Sequence, residues 1–262
     1  LSEGQKTAYA AQIAADYERI REQHAAKKGV TLVKLEEARA NRYRWDSVAD
    51  YVPPVPQTLG VRAIDVPLAE LVPYVDWAPF FQTWDLAGSY PRILDDEVVG
   101  ETARGVFRDG QAMLDRVVRE NLVQARAVFG LFPANTVGHD DIEIYETEAR
   151  DTPLMTWHGL RQQHERPSGK PHWCLSDFIA DKDSGVPDYI GAFACTAGIG
   201  IEPHLEKHEA EHDDYQAIML KSIADRLAEA CAEWLHAQVR RKHWAYAADE
   251  TLDNEALIKE QY

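Results

Sequence analysis

The spacing of apolar residues changes character along the chain. Within residues 5–28, apolar or small side chains recur at helical spacing among many charges, which predicts a surface helix that ends at Gly29. Residues 31–45 predict a second, short helix, and three prolines among residues 51–60 prevent it from continuing. The pattern therefore predicts an N-terminal helical arm, or interdomain linker, over residues 1–60.

From Val61 onward, strand and helix patterns follow one another without a regular repeat. Strands are predicted at residues 61–66, 127–138, 141–146, 153–162, 174–180 and 188–198. Helical periods cover residues 97–121 and a long stretch from Pro203 to Tyr246. Strands in the middle of the chain with helices at both ends, and no βαβ alternation, predict an α+β fold: a mixed or antiparallel sheet flanked by helices over residues 61–262.

Composition narrows the range of partners. The 262 residues are 45% hydrophobic, enough for an ordinary core, and their 44 acidic and 28 basic side chains give a formal net charge of −16. This charge repels phosphate backbones, so we expect no nucleic-acid partner. The sequence has no apolar run of about 18 residues and no signal-peptide pattern, which predicts a cytoplasmic protein without a membrane segment.

The cysteines and one histidine motif are the candidates for metal chemistry. Cys174, Cys195 and Cys231 are widely spaced, and we expect them to be small buried side chains. His208-Glu209-x-x-His212 fits the H-E-x-x-H pattern of zinc peptidases, in which two histidines one helical turn apart bind the metal. That segment is crowded with histidines and acids, so a chance match on a solvated acidic helix is favoured. We expect no metal site and keep a zinc metallopeptidase-like protein as an alternative.

Several stretches together carry a more specific signal than any single motif. They are DWAPFFQTWDLAGSYPRILDDEVVG (76–100), VFGLFPANTVGHDDIEIY (128–145), LRQQ (160–163), CLSDFIA (174–180), DYIGAFACTAG (188–198) and EHDDYQAIMLKSIADRLAEACAEWLH (211–236). In order and spacing they resemble the C-terminal activation domain of cobalamin (vitamin B12)-dependent methionine synthase. The resemblance covers almost the whole chain and identifies residues 61–262 with that domain.

The resemblance implies a function and its partners. Family members bind S-adenosylmethionine and support reductive methylation of inactive cob(II)alamin, so this domain of a methyltransferase is not expected to be catalytic alone or to contain catalytic residues. Cobalamin is expected on a neighbouring cobalamin-binding domain, and the electron donor is expected to resemble flavodoxin. Because flavodoxins and this chain are both acidic, docking is expected to use a local basic patch around Arg240, Arg241 and Lys242.

The resemblance also implies ligand-contacting carboxylates, which suit the ammonium and sulfonium groups of S-adenosylmethionine. Asp76 matches an aspartate that contacts the ligand in the family, and Glu229 and Glu260 lie in matched segments near the site. Asp76 as a turn residue, and the two glutamates as ordinary helix-surface carboxylates, are the alternatives.

The chain stops at Tyr262, just before the family's Arg-x-x-x-Gly-Tyr loop, so the domain is expected to be C-terminally incomplete and its ligand binding weakened. A second alternative function is therefore a non-catalytic module that only docks on the cobalamin domain.

Overall fold

The computed structural model describes residues 3–26, 31–44, 51–167, 169–259 and 261. Its strands are β1 (Gly60–Val66), β2 (Gln124–Val137), β3 (Asp141–Tyr145), β4 (Pro153–His158) and β5 (Asp188–Ile199). They form one antiparallel sheet in the order β1-β2-β3-β4, and β5 lies along the opposite edge of β2. The predicted α+β class with an antiparallel sheet is confirmed.

The helices precede, separate and follow the strands along the chain. They are α1 (Glu3–Ala26), α2 (Leu35–Ala40), α3 (Leu68–Leu71), α4 (Ala78–Thr83), α5 (Gly100–Glu120), α6 (Glu202–Ala210), α7 (Asp214–Gln238) and α8 (Asn254–Ile258). Alternate β2 residues, among them Ala127, Phe129 and Leu131, bury their side chains under α3, α4, α5 and α7 and form the main core. None of the described helices is long and apolar enough to cross a membrane.

The long helix predicted from Pro203 to Tyr246 is interrupted once and ends in a π-helical turn, so that prediction is wrong in detail. α6 ends at Ala210, and His212 adopts a left-handed backbone with φ of 56°. The side chain of Asp213 accepts a hydrogen bond from the Gln216 amide and begins α7 as an N-cap. After α7, one π-helical turn follows over Val239–His243.

Residues 174–180 are not the strand predicted from their sequence. Leu175–Phe178 form a 3-10 turn, and the Asp177 carboxylate accepts the amide hydrogen of Cys174 across it at 3.0 Å. The same carboxylate binds the guanidinium of Arg161, which lies 16 residues earlier in the chain. A tertiary contact therefore fixes this segment, and its local alternation of apolar residues does not.

Arg161 is the centre of a buried polar cluster at the β3–β4 end of the sheet. Its Nε donates to Asp140 at 2.7 Å, and its two terminal nitrogens donate to both Asp177 oxygens at 2.7 and 2.8 Å. The two remaining N–H groups donate to the carbonyls of His139 and His172 at 2.9 and 2.7 Å. All five donors of this fully buried guanidinium are therefore satisfied.

Parts of the predicted arm pack on the sheet domain. Val33 donates its amide hydrogen to the Gln163 carbonyl at 2.8 Å, and the Arg39 guanidinium binds Asp140 at 2.6 Å. Further along, the indole of Trp244 donates to the Pro54 carbonyl at 2.7 Å. Residues 31–44 and 51–58 thus contact the body of the fold, and the division of the chain at residue 60 stays a prediction.

Candidate functional site

Asp76 lies between the 3-10 turn Val72–Tyr74 and α4. Its Oδ1 accepts the amide hydrogen of Ala78 at 2.9 Å, so the carboxylate shapes the turn that opens the helix. The side chain is half-buried, and the hydrogen bonds within the described residues leave Oδ2 available to a ligand. The turn-forming and ligand-binding roles of Asp76 are therefore compatible, because each uses a different oxygen.

An aromatic cluster fixes the position of this turn. Trp77 packs edge-on against Phe80 and Phe107, with ring centroids 5.2 and 4.9 Å apart. On α5, a Cβ at Gly110 would come within 2.5 Å of the Phe80 ring, so glycine allows α4 to approach α5 closely. The aromatic residues that cluster in the sequence thus form part of the core between α4 and α5, and they fix the turn that carries Asp76.

Glu229 lies on the exposed side of α7, with 63% of its side chain accessible. The guanidinium of Arg226 reaches it at 3.4 Å and reaches Asp225 at 2.6 Å. On the neighbouring strand β5, burial raises the pKa of the Cys195 thiol, and the negative charge of Glu229 raises it further. Glu229 therefore lies on the exposed side of α7, close enough to β5 for its charge to act on Cys195.

The structure brings the elements that carry Asp76 and Glu229 together. The turn Val72–Tyr74 and α4, which bracket Asp76, both pack against α7, which carries Glu229. Glu260 lies outside the described residues. The arrangement offers carboxylates on two adjoining elements, which suits a ligand with more than one cationic or hydroxyl group.

A small aromatic cleft lies at the C-terminal end of α7. It encloses about 160 Å³ between β2, β5 and the end of α7, and Phe193, His236, Trp244 and Tyr246 are among its walls. Burial lowers the pKa of His236, and the nearby charge of Arg240 lowers it further, so the imidazole is held neutral. The cleft can receive a flat apolar group.

The histidine motif does not form a zinc site. α6 ends at Ala210, and the left-handed conformation of His212 breaks the helical spacing that would place it one turn from His208. His208 itself is buried. Among the residues that the structure describes, no group of three or more His, Cys, Asp or Glu side chains is placed to hold a metal ion.

The expected basic patch is smaller than its sequence implies, and including Arg240 in it is wrong. Arg240 lies in the π-helical turn, is only 1% exposed and donates to both oxygens of Glu250 at 2.8 Å. Arg241 and Lys242 remain exposed.

Two of the three cysteines are buried as expected. Cys174 and Cys231 are buried, and Cys195 is partly buried. Burial raises the pKa of Cys231 to about 12, and the neighbouring Cys195 contributes to the shift. Thiols with raised pKa values are poor nucleophiles, which agrees with a packing role.

Comparisons with known proteins agree with this architecture. Residues 67–262 match the family described as vitamin B12 dependent methionine synthase, activation domain. The fold is similar to a solved structure described as the MetH reactivation domain bound to AdoHcy, at 50% sequence identity and a TM-score of 0.82, over 88% of this chain and 70% of that chain. The chain belongs to the activation-domain family of vitamin B12-dependent methionine synthase, as the resemblance predicts.

Proposed function

We propose that this chain is a reactivation domain that binds S-adenosylmethionine and supports the reductive methylation of cob(II)alamin on a neighbouring domain. The observation that carries the proposal is the similar solved structure, 50% identical in sequence, which is bound to AdoHcy. AdoHcy is the product that remains when S-adenosylmethionine gives up its methyl group. The carboxylates of Asp76 and Glu229, which lie on or beside elements that pack together, support it, because they suit the cationic and hydroxyl groups of such a ligand.

The residues of this chain bind and orient the ligand. Asp76 presents Oδ2 from a turn that its own Oδ1 holds rigid, so little side-chain freedom is lost on binding. Glu229 supplies a second, more exposed acceptor from α7. Bound S-adenosylmethionine supplies the methyl group that traps the reduced cobalamin, while the protein contributes position.

The remaining partners are proposals of the same kind. A cobalamin-binding domain of the same enzyme is the expected acceptor of the methyl group, and a flavodoxin-like protein is the expected electron donor. The exposed pair of Arg241 and Lys242 offers positive charge to an acidic donor. The domain alone is not expected to turn over substrate, and a cytoplasmic location stays a prediction.

The experiment that tests the proposal is a calorimetric titration of S-adenosylmethionine into the wild-type chain and Asp76→Asn. Asparagine keeps the acceptor for the Ala78 amide but removes the charge, so the melting temperature should not change. Loss of one charge-assisted hydrogen bond should raise the dissociation constant by about tenfold to hundredfold.

Asp96→Asn is the matched control. Asp96 also accepts amide hydrogens across a turn, from Val98 and Val99, but it precedes α5 and has no proposed ligand role. Its substitution should leave the dissociation constant unchanged. A longer polypeptide that continues through the expected Arg-x-x-x-Gly-Tyr loop is titrated in parallel. Absence of binding by both wild-type forms would contradict the proposed function, and equal binding by Asp76→Asn would assign Asp76 to the turn alone.

A further inference from the structure

Arg226 is a buried arginine whose hydrogen bonding is incomplete. Only 8% of its side chain is exposed, although it lies on α7 next to the exposed Glu229. One terminal nitrogen, Nη2, contacts Asp225 at 2.6 Å and Glu229 at 3.4 Å. The other, Nη1, is buried and has no hydrogen-bond partner in the described part of the chain.

This arrangement costs stability. A guanidinium loses its hydration on burial, and its two carboxylate partners are 70% and 63% exposed, so water weakens the attraction that would compensate. The unpaired Nη1 adds a desolvation penalty that is not recovered. Apolar side chains occupy the neighbouring buried positions of α7, including Ile223, Leu227 and Ala230, and an unbranched apolar residue would suit this position better.

The geometry of the helix shows what the arginine does for Glu229. Asp225 and Glu229 are four residues apart, so their like charges face each other on one side of α7 and repel. The guanidinium of Arg226 lies between them and contacts both carboxylates. Among the described residues it is the cation that restrains Glu229, whose exposed side chain otherwise samples many rotamers.

We propose that Arg226 is a positioning residue of the ligand site: it holds the Glu229 carboxylate in place for S-adenosylmethionine, at a cost to the stability of the free protein. This inference rests on the proposed function and deepens it, because it assigns a role to a residue that is not itself expected to touch the ligand. Residues that stabilise a binding geometry while weakening the fold are typical of functional sites.

The test is Arg226→Met, measured by thermal unfolding without ligand and by calorimetric titration of S-adenosylmethionine. Methionine keeps the length of the apolar stem and removes the charge, so the melting temperature should stay the same or rise. The dissociation constant should rise about tenfold, as expected when a charge-assisted contact that orders the site is lost. Arg226→Lys retains the charge, but its side chain is shorter than that of arginine and its ammonium reaches the two carboxylates less well, so it should bind with intermediate affinity.

A double-mutant cycle with Glu229→Gln separates positioning from general structure. If Arg226 acts through Glu229, then Arg226→Met should cause no further loss of affinity in the Glu229→Gln protein. Arg116→Met is the matched control, because the Arg116 Nε binds Glu120 at 3.1 Å on α5, also one turn apart and with no proposed ligand role. It should leave the dissociation constant unchanged.

The outcomes are distinct. Absence of binding by the wild-type forms overturns the proposed function, and this inference with it. Binding by the wild type together with equal binding by Arg226→Met overturns the inference alone and leaves the function standing. If Arg226→Met unfolds, Arg226→Lys decides: unchanged affinity in that variant, or additive losses in the cycle with Glu229→Gln, overturns the positioning role.

Discussion

Arg161 and Arg226 are both buried, but they are bound differently in the two halves of the molecule. At the β3–β4 end, Arg161 uses all five of its donors, and its carboxylate partners Asp140 and Asp177 are themselves 8% and 2% exposed. At the α7 end, Arg226 contacts carboxylates that are mostly in solvent, and its Nη1 lacks a hydrogen-bond partner within the described residues.

The difference separates a structural arginine from a functional one. A buried ion cluster whose members are all satisfied fixes a unique arrangement, and removal of one member leaves the others charged and unpaired. Such a cluster holds three separate loops and the residues 31–44 together. An incompletely satisfied arginine contributes little to the fold, so its presence beside Glu229 points to the ligand. Replacing arginine by methionine is therefore expected to destabilise the fold strongly at position 161 and only slightly, if at all, at position 226.

The largest effect is expected for Arg161→Met. The substitution leaves the buried carboxylate of Asp177 without its cation and leaves Asp140 with Arg39 alone, which should lower the free energy of unfolding by about 3 to 5 kcal/mol. Urea titration of the two arginine variants in parallel measures the contrast. Arg226→Met should remain within about 1 kcal/mol of the wild type. Equal losses in the two proteins would remove the distinction between the halves.

A smaller loss is expected for Gly159→Ala, at the same end as Arg161. A Cβ at this position would lie 2.3 Å from the Asp140 carbonyl oxygen and 2.7 Å from the Cys174 sulfur, so backbone must shift. We expect a loss of about 1 to 3 kcal/mol in unfolding free energy. Gly105→Ala is the control with the opposite sign, because that glycine lies within α5 with nothing near its Cβ. The free energy of unfolding of Gly105→Ala should rise by about 0.5 to 1 kcal/mol. A loss in both variants would mean that the close contacts at Gly159 are not the cause.

The smallest effect is expected for Arg39→Met, and it depends on pH. Burial alone would raise the pKa of Asp140, but hydrogen bonds from Arg161 and Arg39 outweigh it and lower the pKa below the ordinary value. The stabilisation is therefore present above the pKa of an unfolded aspartate, near 4, and is lost as the pH falls through the lowered value in the folded protein. Arg39→Met should cost about 1 to 2 kcal/mol at pH 7.

Chemical unfolding at several pH values checks this dependence. The difference between wild type and Arg39→Met should shrink toward zero below the folded pKa of Asp140, where the carboxyl group is protonated. A constant difference across the acid range would mean that the apolar stem of Arg39, and not its charge, attaches residues 31–44 to the sheet.

The sequence pattern predicts the sheet better than the connections. The strands predicted at residues 61–66, 127–138, 141–146 and 188–198 correspond to β1, β2, β3 and β5, and at the start of β2 and in β3 the buried side chains recur at alternate positions. The break at His212 escapes the pattern, since a left-handed residue followed by the Asp213 cap interrupts a run of good helix formers. The 3-10 turn at Leu175–Phe178 escapes it because a distant guanidinium holds it.

The candidate site is visible only in part. Asp76 and Glu229 come from the resemblance, and the structure places them on elements that pack together. Arg226 is invisible in the sequence, because an arginine in an amphipathic helix is normally assigned to the exposed face. Arg240 is likewise expected on the exposed face, but in the structure it lies in the π-helical turn and binds the largely buried Glu250 carboxylate.

β2 passes through both halves of the molecule. Its 14 residues span about 45 Å, pairing with β1 through Leu131 and with β3 from Ala134 onward, while β5 runs beside it from Gln124 to Ala134. The β2–β5 ladder of hydrogen bonds therefore extends beyond the β1 pairing and reaches Ala134, the first residue of β2 that pairs with β3. We therefore expect the two ends to unfold as one cooperative unit, so that a protease that captures transiently opened chain cleaves at both ends.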